Sequence, residues 1–177
     1  MRSKKVRAAS KPEPIVSSAH LAAGNSPALS EFEYGLILAS HAFHRWIVCC
    51  MAASGIAHLS AIEVLILNTV RHRGRPKKLG NICLVLDIDD THIVTYALRK
   101  LERVGLVSTG RDGKEKIVRM TDKGVQALAR YSEIRERLLV QATLESGVSQ
   151  EALSAMAGHL RALSGYYEQA ARSAATL

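Results

Sequence analysis

Residues Asp87 to Gly124, DIDDTHIVTYALRKLERVGLVSTGRDGKEKIVRMTDKG, constrain the fold of this chain more than any other segment. Val94, Ala97, Leu98, Leu101 and Val104 recur at helical spacing, which predicts a helix from Asp90 or Thr91 to Val104 with one buried stripe, stopped by Gly105. Immediately afterwards, GLVSTG and KIVRMT flank RDGK, the pattern of a hairpin with Asp112-Gly113 in its turn. A helix with a single apolar stripe lays that stripe on its own domain and leaves the opposite face to solvent or a partner.

The rest of the chain reads as helices that can receive the stripe. Ser30 and Glu33 have capping-box spacing and predict a first helix to about Ser54, with Leu36, Phe43, Ile47, Cys50 and Met51 at helical intervals. Ser60 and Glu63 repeat the device for a second helix. Its apolar residues Ile62, Val64, Leu65, Ile66 and Leu67 surround much of its circumference, as in a central buried helix. Gly74 and Pro76 in RHRGRPKK end it, and a short third helix follows from about Lys78 to Leu86 with Leu79, Ile82, Cys83 and Leu86. Beyond the hairpin, Thr121 caps a helix from Asp122 to about Glu145, and Ser149 opens a last one to roughly Arg172. Residues 1–28, with three of the four prolines, read as a basic, disordered or loosely docked tail. Residues 29–177 then form a single domain, mainly α with a small β-hairpin.

Charge is distributed unevenly. Residues 71–130 hold 14 Lys/Arg against 7 Asp/Glu, and residues 1–11 hold five Lys/Arg with no acid, within a net charge of +8. That balance points to a polyanionic partner. Cys49, Cys50 and Cys83 offer neither CxxC nor zinc spacing, which fits a reducing cytosol, and on the first helix Cys49 and Cys50 read as packing residues or as sensors of oxidants. The most apolar run, Gly35 to Ala57, is interrupted by His41, His44 and Arg45 and is expected to be a buried helix rather than a membrane span. The N-terminus lacks the continuous apolar core of a signal peptide, so no export is expected. His41 and His44 stand one turn apart without a third ligand in register, and no metal or cofactor is expected. The sequence contains no Walker loop, HExxH, GxSxG or dinucleotide fingerprint, and no catalysis is expected.

The chemistry lies on the outer face of the 90–104 helix. His92, Thr95, Tyr96, Arg99 and Arg103 share that face, with Thr91 and Lys100 beside them. Short polar groups precede cations, the order that suits base edges near a helix N-terminus and phosphates further along. Asp89 and Asp90 would repel phosphate and instead suit the free N–H groups of the helix start. Arg111, Lys114, Lys116 and Arg119 cluster on the hairpin within reach of a backbone or minor groove. His92 and Tyr96 serve either base contacts or a plain surface. Arg75, Lys77 and Lys78 either bind phosphate or keep a loop soluble. Phe43 and Trp46 pack the core or line an effector pocket.

Three helices, a groove-reading helix, a basic hairpin and TDKG, in this order, resemble the MarR family of winged helix-turn-helix transcription regulators. The resemblance spans roughly Ser30 to Arg172, and its specific part is Leu79 to Gly124. It implies a DNA-binding lobe over about 58–124 and dimerisation helices over about 30–54 and 122–172. In that family a wing Asp orients a DNA-contacting Arg; here Asp112 and Lys114 occupy those positions, and Tyr96 stands where Arg is frequent. The resemblance also implies a cytoplasmic bacterial homodimer on a pseudo-palindromic double-stranded operator, and a small aromatic effector at the junction of the dimer helices and the lobe. Leu153, Met156, Leu160, Leu163 and Tyr167, together with Ala157, form an apolar stripe on the last helix suited to that dimer. The alternative is a winged-helix module that holds another protein and uses its basic face weakly or not at all.

Overall fold

Local capping chemistry sets where most of the elements begin. In the computed structural model, which describes residues 13–177, helix α3 (Ala61–Arg71) opens with the expected Ser60/Glu63 capping box, the Ser60 amide donating to Glu63 Oε2 at 2.7 Å. Helix α5 (Thr91–Arg103) opens on Asp90, whose Oδ1 accepts from the His92 amide at 2.8 Å. Helix α6 (Asp122–Arg135) opens on Thr121, and helix α8 (Gln150–Ala174) on Ser149, each side chain accepting an amide of the first turn. Between them, α6 widens into a π-helical turn over Glu136–Val140 and continues as α7 (Gln141–Glu145).

The first long helix departs from expectation in two ways. Helix α2 spans Pro27–Ala53, with Pro27 at its first position, so Ser30 lies inside the helix and makes no capping box. The Ser30 hydroxyl instead donates to the Leu21 carbonyl at 2.7 Å, tying down a single helical turn, α1 (Ala19–Ala22). Part of the expected tail is therefore ordered against α2; residues 1–12 lie outside the described residues. The expected burial is also confined to one end. Ile47, Cys50 and Met51 enter the core, whereas Leu36, Ile37, Leu38 and Phe43, nearer the N-terminus of α2, are exposed. By length and composition alone this helix also suffices to cross a membrane.

Helix α3 crosses the centre, burying Val64, Ile66, Leu67 and Val70 against Ile47 and Met51 of α2 and against Val94, Leu98 and Leu101 of α5. Helix α4 (Leu79–Leu86) adds Ile82 and Cys83. It stops at Asp87, left-handed at φ 54°, while the Ile88 amide returns to the Cys83 carbonyl at 3.0 Å. At the end of α5, Gly105 (φ 78°) donates to the Glu102 carbonyl and Leu106 to the Leu101 carbonyl, both at 2.9 Å. This Schellman arrangement turns the chain into the hairpin and drops Leu106 into the core.

The hairpin is β2 (Val107–Asp112) and β3 (Glu115–Met120), and Asp112 pairs with Glu115. The turn residues are thus Gly113 and Lys114, one position later than expected, with Gly113 supplying the positive φ of 59°. A third strand, β1 (Lys77–Lys78), lines the outer edge of β3 and completes a sheet of order β1-β3-β2.

Candidate nucleic-acid interface

On α5 the inner stripe is as expected: Val94, Ala97, Leu98 and Leu101 are buried and Val104 is half-buried. Thr91, His92, Tyr96, Arg99 and Arg103 are exposed on the outer side, and Thr95 is half-buried. Tyr96, 68% exposed, stands fully clear of the lobe. Ile93 joins this surface, exposed in the first turn, although as an apolar residue it was not singled out from the sequence. A side chain of that kind suits a thymine methyl.

Lys100 does not join the outer set. Its Nζ turns inward to Glu63 Oε2 at 2.9 Å and donates to the His58 carbonyl at 2.6 Å. Glu63 is nearly fully buried, and a buried carboxylate at the start of α3 draws the nearest cation away from solvent. Lys100 therefore fastens α5 to the α2–α3 elbow.

The sheet register sorts the hairpin cations. Directly opposed residues of an antiparallel pair share a face, so Arg111 and Lys116 lie on the side of Thr109 and Val118, facing α5. Arg119 pairs with Ser108 on the opposite side, its guanidinium running over Gly110, where an added Cβ would lie 3.5 Å away. Arg119 is thus separated from the other wing cations. Lys114 is exposed at the tip. Asp112 forms no ion pair with Lys114 among the described residues; the carboxylates at the ladder end instead serve Lys78, which forms an ion pair with Glu115. That hydrogen bond, then the charges of Glu115 and Asp112, hold the Lys78 ammonium above its usual pKa.

Glu102, the one acid on α5, is also spoken for. Its carboxylate accepts from the Thr109 hydroxyl at 2.8 Å and the Thr109 amide at 2.9 Å, which hold it below the usual carboxylate range and splint the hairpin to the helix. Among the described residues no carboxylate pairs with Arg99, Arg103, Arg111, Lys114 or Lys116. Among the described residues the outer face of α5 and the wing therefore present Arg99, Arg103, Arg111 and Lys114 without an ion-pair partner around a short polar first turn, while the charge of Lys116 helps to lower the Glu102 pKa.

The apolar stripe of α8 buries no residue completely. Leu153 and Leu163 are half-buried, while Met156, Leu160 and Tyr167 are exposed. Phe32 of α2 joins Met156, Leu160, Leu163 and Tyr166 around an open apolar groove of about 710 Å³, and Tyr167 donates to Glu33 Oε1 at 3.2 Å. Elsewhere, His41 and His44 are both exposed, and no group of three metal-ligating side chains occurs among the described residues. Cys49 is exposed rather than buried; Cys50 is buried, which raises its thiol pKa.

A family model described as a winged helix DNA-binding domain matches residues 59–124, which run from the N-terminal edge of α3 through the hairpin. No curated protein matches the chain. Among solved structures, the MepR–DNA complex of S. aureus aligns at 19% identity with a TM-score of 0.60, covering 77% of this chain and 97% of MepR. CouR from Rhodococcus jostii RHA1, bound to p-coumaroyl-CoA, aligns at 14% identity and a TM-score of 0.58, covering 75% and 90% of the two chains. A MarR-family transcriptional regulator from Rhodococcus sp. RHA1 aligns at 14% identity and 0.58, covering 80% and 95%. The likeness extends beyond the winged-helix segment to the flanking helices, and it is one of fold.

Proposed function

We propose that this chain, a winged helix in a MarR-type frame, is a double-stranded DNA-binding transcription regulator that reads a pseudo-palindromic operator as a homodimer. One observation carries the reading: among the described residues, the outer face of α5 and the wing hold Arg99, Arg103, Arg111 and Lys114 without a paired carboxylate. Helix α5 enters the major groove with Thr91, His92, Ile93, Thr95 and Tyr96 toward base edges, and Lys114 reaches the flanking backbone or minor groove. Arg99 and Arg103 meet phosphates. Arg119 and Lys100 lie outside this set for the geometric reasons above.

The dimer reading rests on the exposed apolar faces of α2 and α8, which two copies would cover mutually and so set the spacing of two half-sites. A small aromatic effector is consistent with the p-coumaroyl-CoA in the CouR structure, and DNA with the MepR complex. The chemistry is binding rather than catalysis, and it belongs in the compartment that holds DNA, the cytoplasm of a bacterium.

Fluorescence anisotropy of a duplex pool, titrated at several salt concentrations, tests the reading. Wild type is expected to show a steep loss of affinity with salt. Arg99→Ala/Lys114→Ala should bind more weakly, with a log–log slope shallower by about 0.9 per phosphate contact removed. Equal affinity and slope for both proteins would count decisively against it.

A further inference from the structure

The flank of the winged helix carries a surface that the DNA-binding reading leaves unused. Leu84 and Val85 of α4 are 81% and 68% exposed, adjacent on one helix and beside a groove of about 840 Å³ between α3, α4 and the loop joining α3 to β1. Leu65 and Leu86 form its apolar floor, and Arg73, Arg75 and Lys77 line its rim. No Asp or Glu occurs from Val64 to Leu86, and among the described residues none of these three cations forms an ion pair. Lys77 donates to the His72 carbonyl at 2.6 Å, a contact that fixes the ammonium without neutralising it. None of the lining residues comes from α5 or the β2–β3 hairpin, so the groove is built from other residues than those assigned to the DNA-reading surface.

We propose that this flank is a docking surface for an acidic protein segment bearing apolar side chains. Two large side chains this exposed would leave a bound small molecule half in water, whereas a polypeptide segment covers both and extends its carboxylates to the loop cations. Charge complementarity excludes the near alternatives. The chain's own N-terminal stretch, with five cations and no acid in residues 1–11, is repelled by this rim. A nucleic-acid backbone would satisfy the cations while leaving Leu84 and Val85 in water.

The test uses the full-length protein and three labelled synthetic helical peptides of about 15 residues: one alternating Asp/Glu with Leu/Phe on separate faces, one with the apolar residues replaced by Ser, and one with the acids replaced by Gln. Fluorescence polarisation is expected to give saturable binding of the first with a dissociation constant below about 1 mM, and at least tenfold weaker binding of the other two. Amide chemical-shift changes should map to Asn81, Leu84 and Val85. Leu84→Ser/Val85→Ser and Arg73→Glu/Arg75→Glu should each lose the first peptide at least tenfold while keeping the wild-type melting temperature. Absence of saturable binding, equal binding by the Leu84→Ser/Val85→Ser protein, or shifts confined to Thr91–Tyr96 would each overturn the proposal. DNA titration of the apolar double variant should be unchanged, and because the peptide arm needs no DNA, failure of the DNA reading leaves it standing.

Discussion

Replacing Lys100 should separate the two roles that a cation on α5 can take. As a phosphate contact, its loss would flatten the salt dependence of DNA binding; as a fastener between α5 and the buried Glu63, its loss leaves the slope unchanged and lowers stability. Lys100→Met is expected to cost about 1–3 kcal/mol by leaving the buried Glu63 carboxylate without its cation. A denaturation double-mutant cycle with Glu63→Gln should show coupling between the two, and independent effects would contradict the fastening role. Gly124 offers a second test at this scale. A Cβ there would lie 2.2 Å from the Leu106 carbonyl oxygen and 2.6 Å from Met120 Cε, so Gly124→Ala must push α6 off the hairpin. We expect a loss of about 1–3 kcal/mol, read as a lower urea midpoint; an unchanged midpoint would mean that the backbone yields freely. The sequence showed a glycine after TDK as part of a family pattern, but its physical reason, contact with a carbonyl from another element, was legible only in three dimensions.

At the scale of elements, the hairpin's attachment to α5 should respond to acid. Glu102 is held below the ordinary carboxylate range by Thr109, so the two hydrogen bonds contribute stability above the unfolded-state value, about 4.3, and lose it as pH falls through the lower folded value. Because Glu102 is exposed, the effect is local loosening rather than unfolding. The Thr109 amide resonance should titrate with a midpoint below the ordinary glutamate value, and Glu102→Gln should remove that step; a midpoint at or above the ordinary value would sink this account. The element starts at Ser60, Asp90, Thr121 and Ser149 were readable because a cap and its amide lie within one turn of sequence. Ser30 carried the same signal and failed it, since Pro27 starts α2 earlier and the Leu21 carbonyl takes the hydroxyl. Strand β1 was missed for a different reason: two lysines have no periodicity, and only pairing with Val118 and Ile117 makes them a strand.

For the whole molecule, the exposed apolar faces of α2 and α8 predict the assembly. Leu160→Glu, alone or with Met156→Glu, is expected to weaken self-association at least about tenfold, or on the order of 1.4 kcal/mol. Sedimentation velocity should then show monomer at concentrations where the proposed wild-type dimer forms, and an unaltered distribution would rule out this face as the interface. The sequence by itself determined the order of the longer helices, the buried stripe of α5, the caps of α3, α5, α6 and α8, and a basic hairpin directly after α5, because each depends on residues within a few positions of one another. Tertiary structure alone decided which cations remain available. Lys100 is drawn in by a carboxylate 37 positions earlier, Arg119 is turned to the far face by strand register, and Lys78 is neutralised by Glu115. It also left Leu84 and Val85 of α4 uncovered beside the arginines of the α3–β1 loop. Side-chain direction and charge pairing depend on which distant elements meet, and no local pattern in the sequence records that.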